Sequence, residues 1–105
     1  KGGHCLHDLA NEVVLGIDHG LTFHPVWKLR TVIWDFADEP VPAPLLEDVR
    51  RVAHDAEHGA LGDELAALLS PAELAALGMR ATDLLRDGFF PAPDPGYHSV
   101  PWPLV

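Results

Sequence analysis

The sequence predicts an α+β fold, mainly α, in which a short β-hairpin is followed by about four helices and a Pro-rich tail. Three observations point there. Val13-Val14-Leu15-Gly16-Ile17 is β-branched and continuously apolar, the composition of a strand. From Pro25 to Gly88, apolar residues recur three and four positions apart, the period of a helix with one buried face. Beyond Pro91, prolines at 91, 93, 95, 101 and 103 fix φ and remove backbone donors, which excludes regular structure.

The elements follow in order. His4 to His7 is a short run, and Asp8-Leu9-Ala10-Asn11 reads as a turn, so the first two strands form a hairpin. The second strand delivers Asp18-His19-Gly20 at its end, with Gly20 expected to take a left-handed conformation. Pro25 suits a first helical position, and Val26, Leu29, Ile33 and Phe36 make one apolar stripe before Glu39-Pro40. This predicts a first helix of about three turns. On it Trp27 and Trp34 would share a face, as core or as contact surface for a further lobe.

Pro44 opens a second helix, on which Leu45, Leu46, Val49, Val52, Ala53 and Ala56 recur until Gly59. Leu61, Leu65, Leu68 and Leu69 predict a short third. Ser70-Pro71-Ala72-Glu73 is a capping box with proline just inside the start. The fourth helix buries Leu74, Leu77, Ala81, Leu84 and Leu85, tolerates Gly78 at some cost, and ends at Asp87-Gly88. Trp102 is expected to pin the tail to the body.

Composition narrows the function. The chain has 105 residues, 48% of them apolar, which suffices for one small core. Sixteen acidic against seven basic residues give a net charge of −9. That charge repels polyanions and argues against nucleic acid as a partner. The cations form no stripe, so any phosphate handled here is expected to need a metal. Cys5, the single cysteine, excludes an internal disulfide and suits a reducing compartment. With no apolar run long enough for a transmembrane segment and no signal peptide, a cytoplasmic location is expected. The chain begins at Lys1 rather than Met, so further sequence is expected upstream.

Two residues stand out chemically. Asp18 closes an apolar strand and precedes Gly20, an arrangement that serves either as a simple turn or as a carboxylate held at a strand end for a metal. His4 heads the same hairpin and, with Cys5, His7 and Asp8, raises the question of a zinc site. Several alternatives carry less. His4-Cys5-x-His7-Asp8 lacks the separated spacing of structural zinc, because neighbouring strand residues point to opposite faces. Cys5 has no activating partner on its own face, so a buried, inert thiol is expected. His54 and His58 lie one helical turn apart but have no third ligand nearby, which favours exposure. His19 and His24 suit packing or capping of the loop.

The stretch Lys1-Gly2-Gly3-His4-Cys5-Leu6, a hairpin, then Ile17-Asp18-His19-Gly20 resembles the second half of a catalytic loop followed by the metal-binding motif of phosphatidylinositol 3-/4-kinase-like phosphotransferases. A bacterial branch, itself similar to the type II phosphatidylinositol 4-kinases, is similar also through Lys28-Leu29-Arg30-Thr31-Val32 and in the Val100-Pro101-Trp102-Pro103 tail. The resemblance implies that residues 1–90 form a partial C-terminal lobe of a kinase-like catalytic domain and 91–105 its tail. It implies ATP with Mg2+ or Mn2+ as cofactors, and Asp18 and His4 as cofactor-binding and metal-binding residues.

The same resemblance places the catalytic base upstream of Lys1, so no catalytic residue is expected within the chain. An N-terminal nucleotide lobe would be its missing partner, and the chain alone would be inactive. His4 stands where these kinases usually carry Asn, which points to manganese or to a phosphate hydrogen bond. The acceptor, whether lipid, protein or small molecule, is left open. The competing expectation is a non-catalytic helical module that binds a protein partner.

Overall fold

The computed structural model describes residues 4–100 and 102. The Lys1-Gly2-Gly3 head of the kinase-like motif, and Pro101 and Pro103 of the tail, lie outside them. Within the described residues the fold is α+β, with one two-stranded antiparallel hairpin and three helices.

The hairpin pairs β1 (Cys5–Asp8) with β2 (Val13–Gly16) in the register Cys5↔Gly16, Leu6↔Leu15, His7↔Val14 and Asp8↔Val13. Its turn is built by Asp8. The carboxylate accepts the Ala10 N–H at 3.0 Å and the Asn11 side-chain amide at 2.7 Å, an Asx-type turn that closes the chain locally. Those bonds, that of Asn11 first, hold the Asp8 carboxyl below its ordinary range.

The helix predicted over Val26–Phe36 does not form. Residues 24–39 run as turns and irregular chain, so the helix count is three rather than four. Local chemistry explains this. Thr31-Val32-Ile33 is a β-branched run with poor helix propensity. The amides a first turn would use are taken elsewhere: Val26 N–H donates to His24 Nδ1 at 3.0 Å and Ile33 N–H to Thr31 Oγ1 at 3.0 Å. Thr31 N–H donates at 2.9 Å to the Ser99 carbonyl, 68 positions away in the tail. Trp27 and Trp34 therefore share no helical face.

The helical body follows the sequence closely. α1 spans Ala43–His58 with proline in its first turn, α2 spans Ala60–Ala66, and α3 spans Pro71–Asp87. α1 packs against both others. A Cβ on Gly62 would run into the Ala56 carbonyl, so glycine is what lets α2 fold tightly against the end of α1. An antiparallel clasp closes the body. Val41 N–H donates to Gly88 O at 2.9 Å and Phe90 N–H to Glu39 O at 2.9 Å, tying the entrance of α1 to the exit of α3. Gly88 makes that exit possible with φ 72°.

α3 carries the expected capping box. Ser70 Oγ accepts the Glu73 N–H at 3.2 Å, and Glu73 Oε2 accepts the Ser70 N–H at 2.7 Å. The Ser70 amide bond, first of all, keeps the Glu73 carboxyl below its ordinary range, with smaller help from nearby His24. A depressed carboxylate stabilises the fold fully above its unfolded value, and that contribution is lost as pH falls through the folded value. The melting temperature is therefore expected to drop as pH falls below about 4, and Glu73→Gln should flatten that part of the profile. Equal acid sensitivity in wild type and Glu73→Gln would show that the cap carries none of it.

Burial differs most from expectation. Although 48% of residues are apolar, Val41 is the one buried apolar residue among the described residues, and no side chain there is fully buried. The accessible surface is 7665 Å² for an 11.4 kDa chain, against about 5,800 Å² for a folded monomer of that mass. The radius of gyration is 14.8 Å, against about 13 Å for a compact chain of this length. Both hairpin faces lie open, with the adjacent strand residues Val14 70% and Leu15 48% exposed. Cys5 is exposed too, because no second layer covers the sheet. Trp102 is 83% exposed, so the Thr31–Ser99 bond, not that ring, ties down the tail.

The indole N–H of Trp34 is buried without an acceptor. The bare apolar surface is that of a face without a partner. The isolated chain is expected to self-associate above micromolar concentration, read by light scattering. A clean monomer at high concentration would contradict that.

Candidate functional site

The ladder positions the site. Beyond β2, Ile17 N–H donates to the His4 carbonyl at 2.8 Å, one further rung past Gly16. That rung sets His4, just before β1, across from the residues following β2. Asp18 then takes φ 56°, a left-handed conformation that Asp tolerates better than most residues. The left-handed position is thus Asp18 and not Gly20, which has a negative or extended backbone. The kink turns the carboxylate back over the hairpin's end, where Asp18 Oδ2 stands 3.3 Å from His4 Nε2. Asp18 is 73% exposed and His4 29%, so the pair faces solvent from one side.

Both residues line an open cleft of about 840 Å³, with His19, Trp27, Lys28 and Arg30 among its walls. The His19 ring lies over Gly16, filling the place a Cβ would take. Tight turns then carry the chain away, with Thr22 N–H donating to His19 O at 2.9 Å and His24 N–H to Leu21 O at 3.1 Å. Arg80 of α3 anchors them. Its Nη1 donates to the His24 carbonyl at 2.8 Å and its Nη2 to the Thr22 carbonyl at 3.0 Å.

Arg80 is the residue that sequence reasoning missed. A signal existed: it falls three residues after Leu77 and four before Leu84, a cation inside the apolar stripe of α3. An arginine there must find acceptors, and the site loop provides two carbonyls.

The donor set suits a divalent cation in part. The two donor atoms are 3.3 Å apart, close to the roughly 3 Å that separates adjacent ligands around a magnesium-sized ion. Among the described residues no three His, Cys, Asp or Glu side chains converge as a metal cluster. A zinc site at His4-Cys5-x-His7-Asp8 is thereby unsupported, whereas magnesium commonly takes only one or two protein ligands and completes its shell with phosphates and water. His54 and His58 stack edge to face, 5.1 Å between centroids, on the exposed side of α1 and far from this pair in sequence.

Comparison with known proteins adds one relative. The chain is 42% identical over 103 residues to Protein Rv2133c of Mycobacterium tuberculosis, an alignment covering 98% of this chain and 36% of that protein. The chain spans about a third of the length of that relative. No family model and no solved structure matches it. No helix of the described residues is long and apolar enough to cross a membrane.

Proposed function

We propose that this chain belongs to an ATP-dependent phosphotransferase of the phosphatidylinositol 3-/4-kinase-like kind, supplies the metal-binding Asp18 of its active site, and is inactive alone. The observation that carries the reading is the convergence of Asp18 and His4 at 3.3 Å over one open cleft, reached from two ends of a hairpin. A simple turn also accommodates a left-handed residue, as at Glu12 and Asp38 of this chain, but it would not need a facing imidazole. In such an enzyme the divalent ion neutralises charge on the transferring phosphoryl group. Asp18 would hold it through a carboxylate oxygen and His4 through Nε2, with manganese favoured over magnesium by the nitrogen donor.

The exposed apolar residues of the hairpin support a further lobe seated on this one, carrying the nucleotide loop and the base. The same bare surface favours the second reading, a non-catalytic helical module for a protein partner. Metal dependence separates the two. The experiment is ATP-dependent phosphotransfer by the full-length protein and its Asp18→Asn variant, each with magnesium and with manganese. Turnover indifferent to the variant would refute the first reading.

A further inference from the structure

A census of cations leads to a second site in the same cleft. Arg50 pairs with Glu47, Arg51 with Asp48, and Arg86 with Asp83 and Asp87, all within their own helices. Arg80 is committed to the Thr22 and His24 carbonyls. Lys28 and Arg30 remain. Among the described residues neither has a carboxylate or hydrogen-bond partner, and both line the cleft that holds Asp18. In a chain of net charge −9, this cleft presents three cations against the single carboxylate of Asp18. Trp27, 43% exposed, stands beside them in the same wall.

We infer that Lys28 and Arg30 form an oxyanion subsite for the acceptor substrate, a soluble small molecule bearing a phosphate or comparable anionic group, with an apolar portion against Trp27. The inference rests on the phosphotransferase reading only in calling the ligand the acceptor. Two cations without partners among the described residues, in one open cleft, can bind an oxyanion by charge-assisted hydrogen bonds, Arg by its fork and Lys as a point charge. Solubility of the ligand follows from the rest of the surface. An anionic bilayer would meet carboxylates everywhere else, since the other helical arginines are already neutralised.

The test uses this chain at or below micromolar concentration, in EDTA, titrated with inorganic phosphate and with sn-glycerol 3-phosphate while tryptophan fluorescence, to which the cleft residue Trp27 contributes, is followed. A saturable change is expected, weakening with salt. The Lys28→Gln/Arg30→Gln double variant should raise Kd about tenfold or more, as loss of two charge-assisted contacts requires. No saturation in wild type, or equal saturation in the double variant, would overturn the subsite. So would binding seen only with vesicles of phosphatidylcholine and phosphatidic acid, which would assign the cations to a membrane. Because no metal or nucleotide is present, these outcomes are independent of whether Asp18→Asn abolishes phosphotransfer.

Discussion

Asp18→Asn in the full-length protein is expected to lower ATP-dependent phosphotransfer by a hundredfold or more while the protein stays folded. The chemical half of the expectation comes from charge. On the proposed reading Asp18 would hold a divalent ion through its negative charge, which the amide lacks, and the ion would supply charge neutralisation to phosphoryl transfer. The structural half comes from geometry. The Asp18 side chain is 73% exposed and packs against little, and Asn is among the few residues that accept φ near 56°. Melting should therefore shift by a few degrees at most. His4→Asn is expected to be milder and to move preference from manganese towards magnesium, since an oxygen donor replaces nitrogen. Turnover of Asp18→Asn within a few-fold of the parent, with either metal, would remove the metal role and leave the partner-binding module as the better account.

Arg80→Ala is expected to have the largest effect on stability, on the order of 2–3 kcal/mol. Two charge-assisted bonds vanish at once, leaving the part-buried carbonyl of His24 and the exposed carbonyl of Thr22 without their donor. The loss should be local. The helical body has its own clasp between residues 38–41 and 88–90, so α1 and α3 should keep their hydrogen-exchange protection. Residues 19–26 should lose theirs, and Asp18 would lose its fixed setting. Arg80→Lys should restore little, because one ammonium cannot span two carbonyls in the way the guanidinium fork does. Uniform loss of protection across α1, α3 and the loop would instead make Arg80 a general packing residue.

Much of this was legible in the sequence, and the reason is locality. The hairpin, the three helices of the body, the Ser70-Glu73 capping box and the Gly88 exit are each written in a few adjacent residues, because Asx turns, caps and left-handed glycines are closed by neighbours in the chain. The Val26–Phe36 stripe misled for the complementary reason. Its period matched a helix, but the amides were claimed by His24, Thr31 and the distant Ser99, a competition that periodicity does not record.

By itself, then, the sequence determined the elements whose bonds close within a few residues, together with the two candidate ligands, His4 and Asp18, at the ends of one hairpin. Only the tertiary structure decided that these two meet at 3.3 Å, that Arg80 holds the loop behind them from 56 residues away, and that Lys28 and Arg30 share their cleft without partners among the described residues. The physical reason is reach. Contacts between residues far apart in the chain depend on the ladder register, on one left-handed residue and on which acceptors remain after local bonds are made, and these emerge only when the whole backbone is placed.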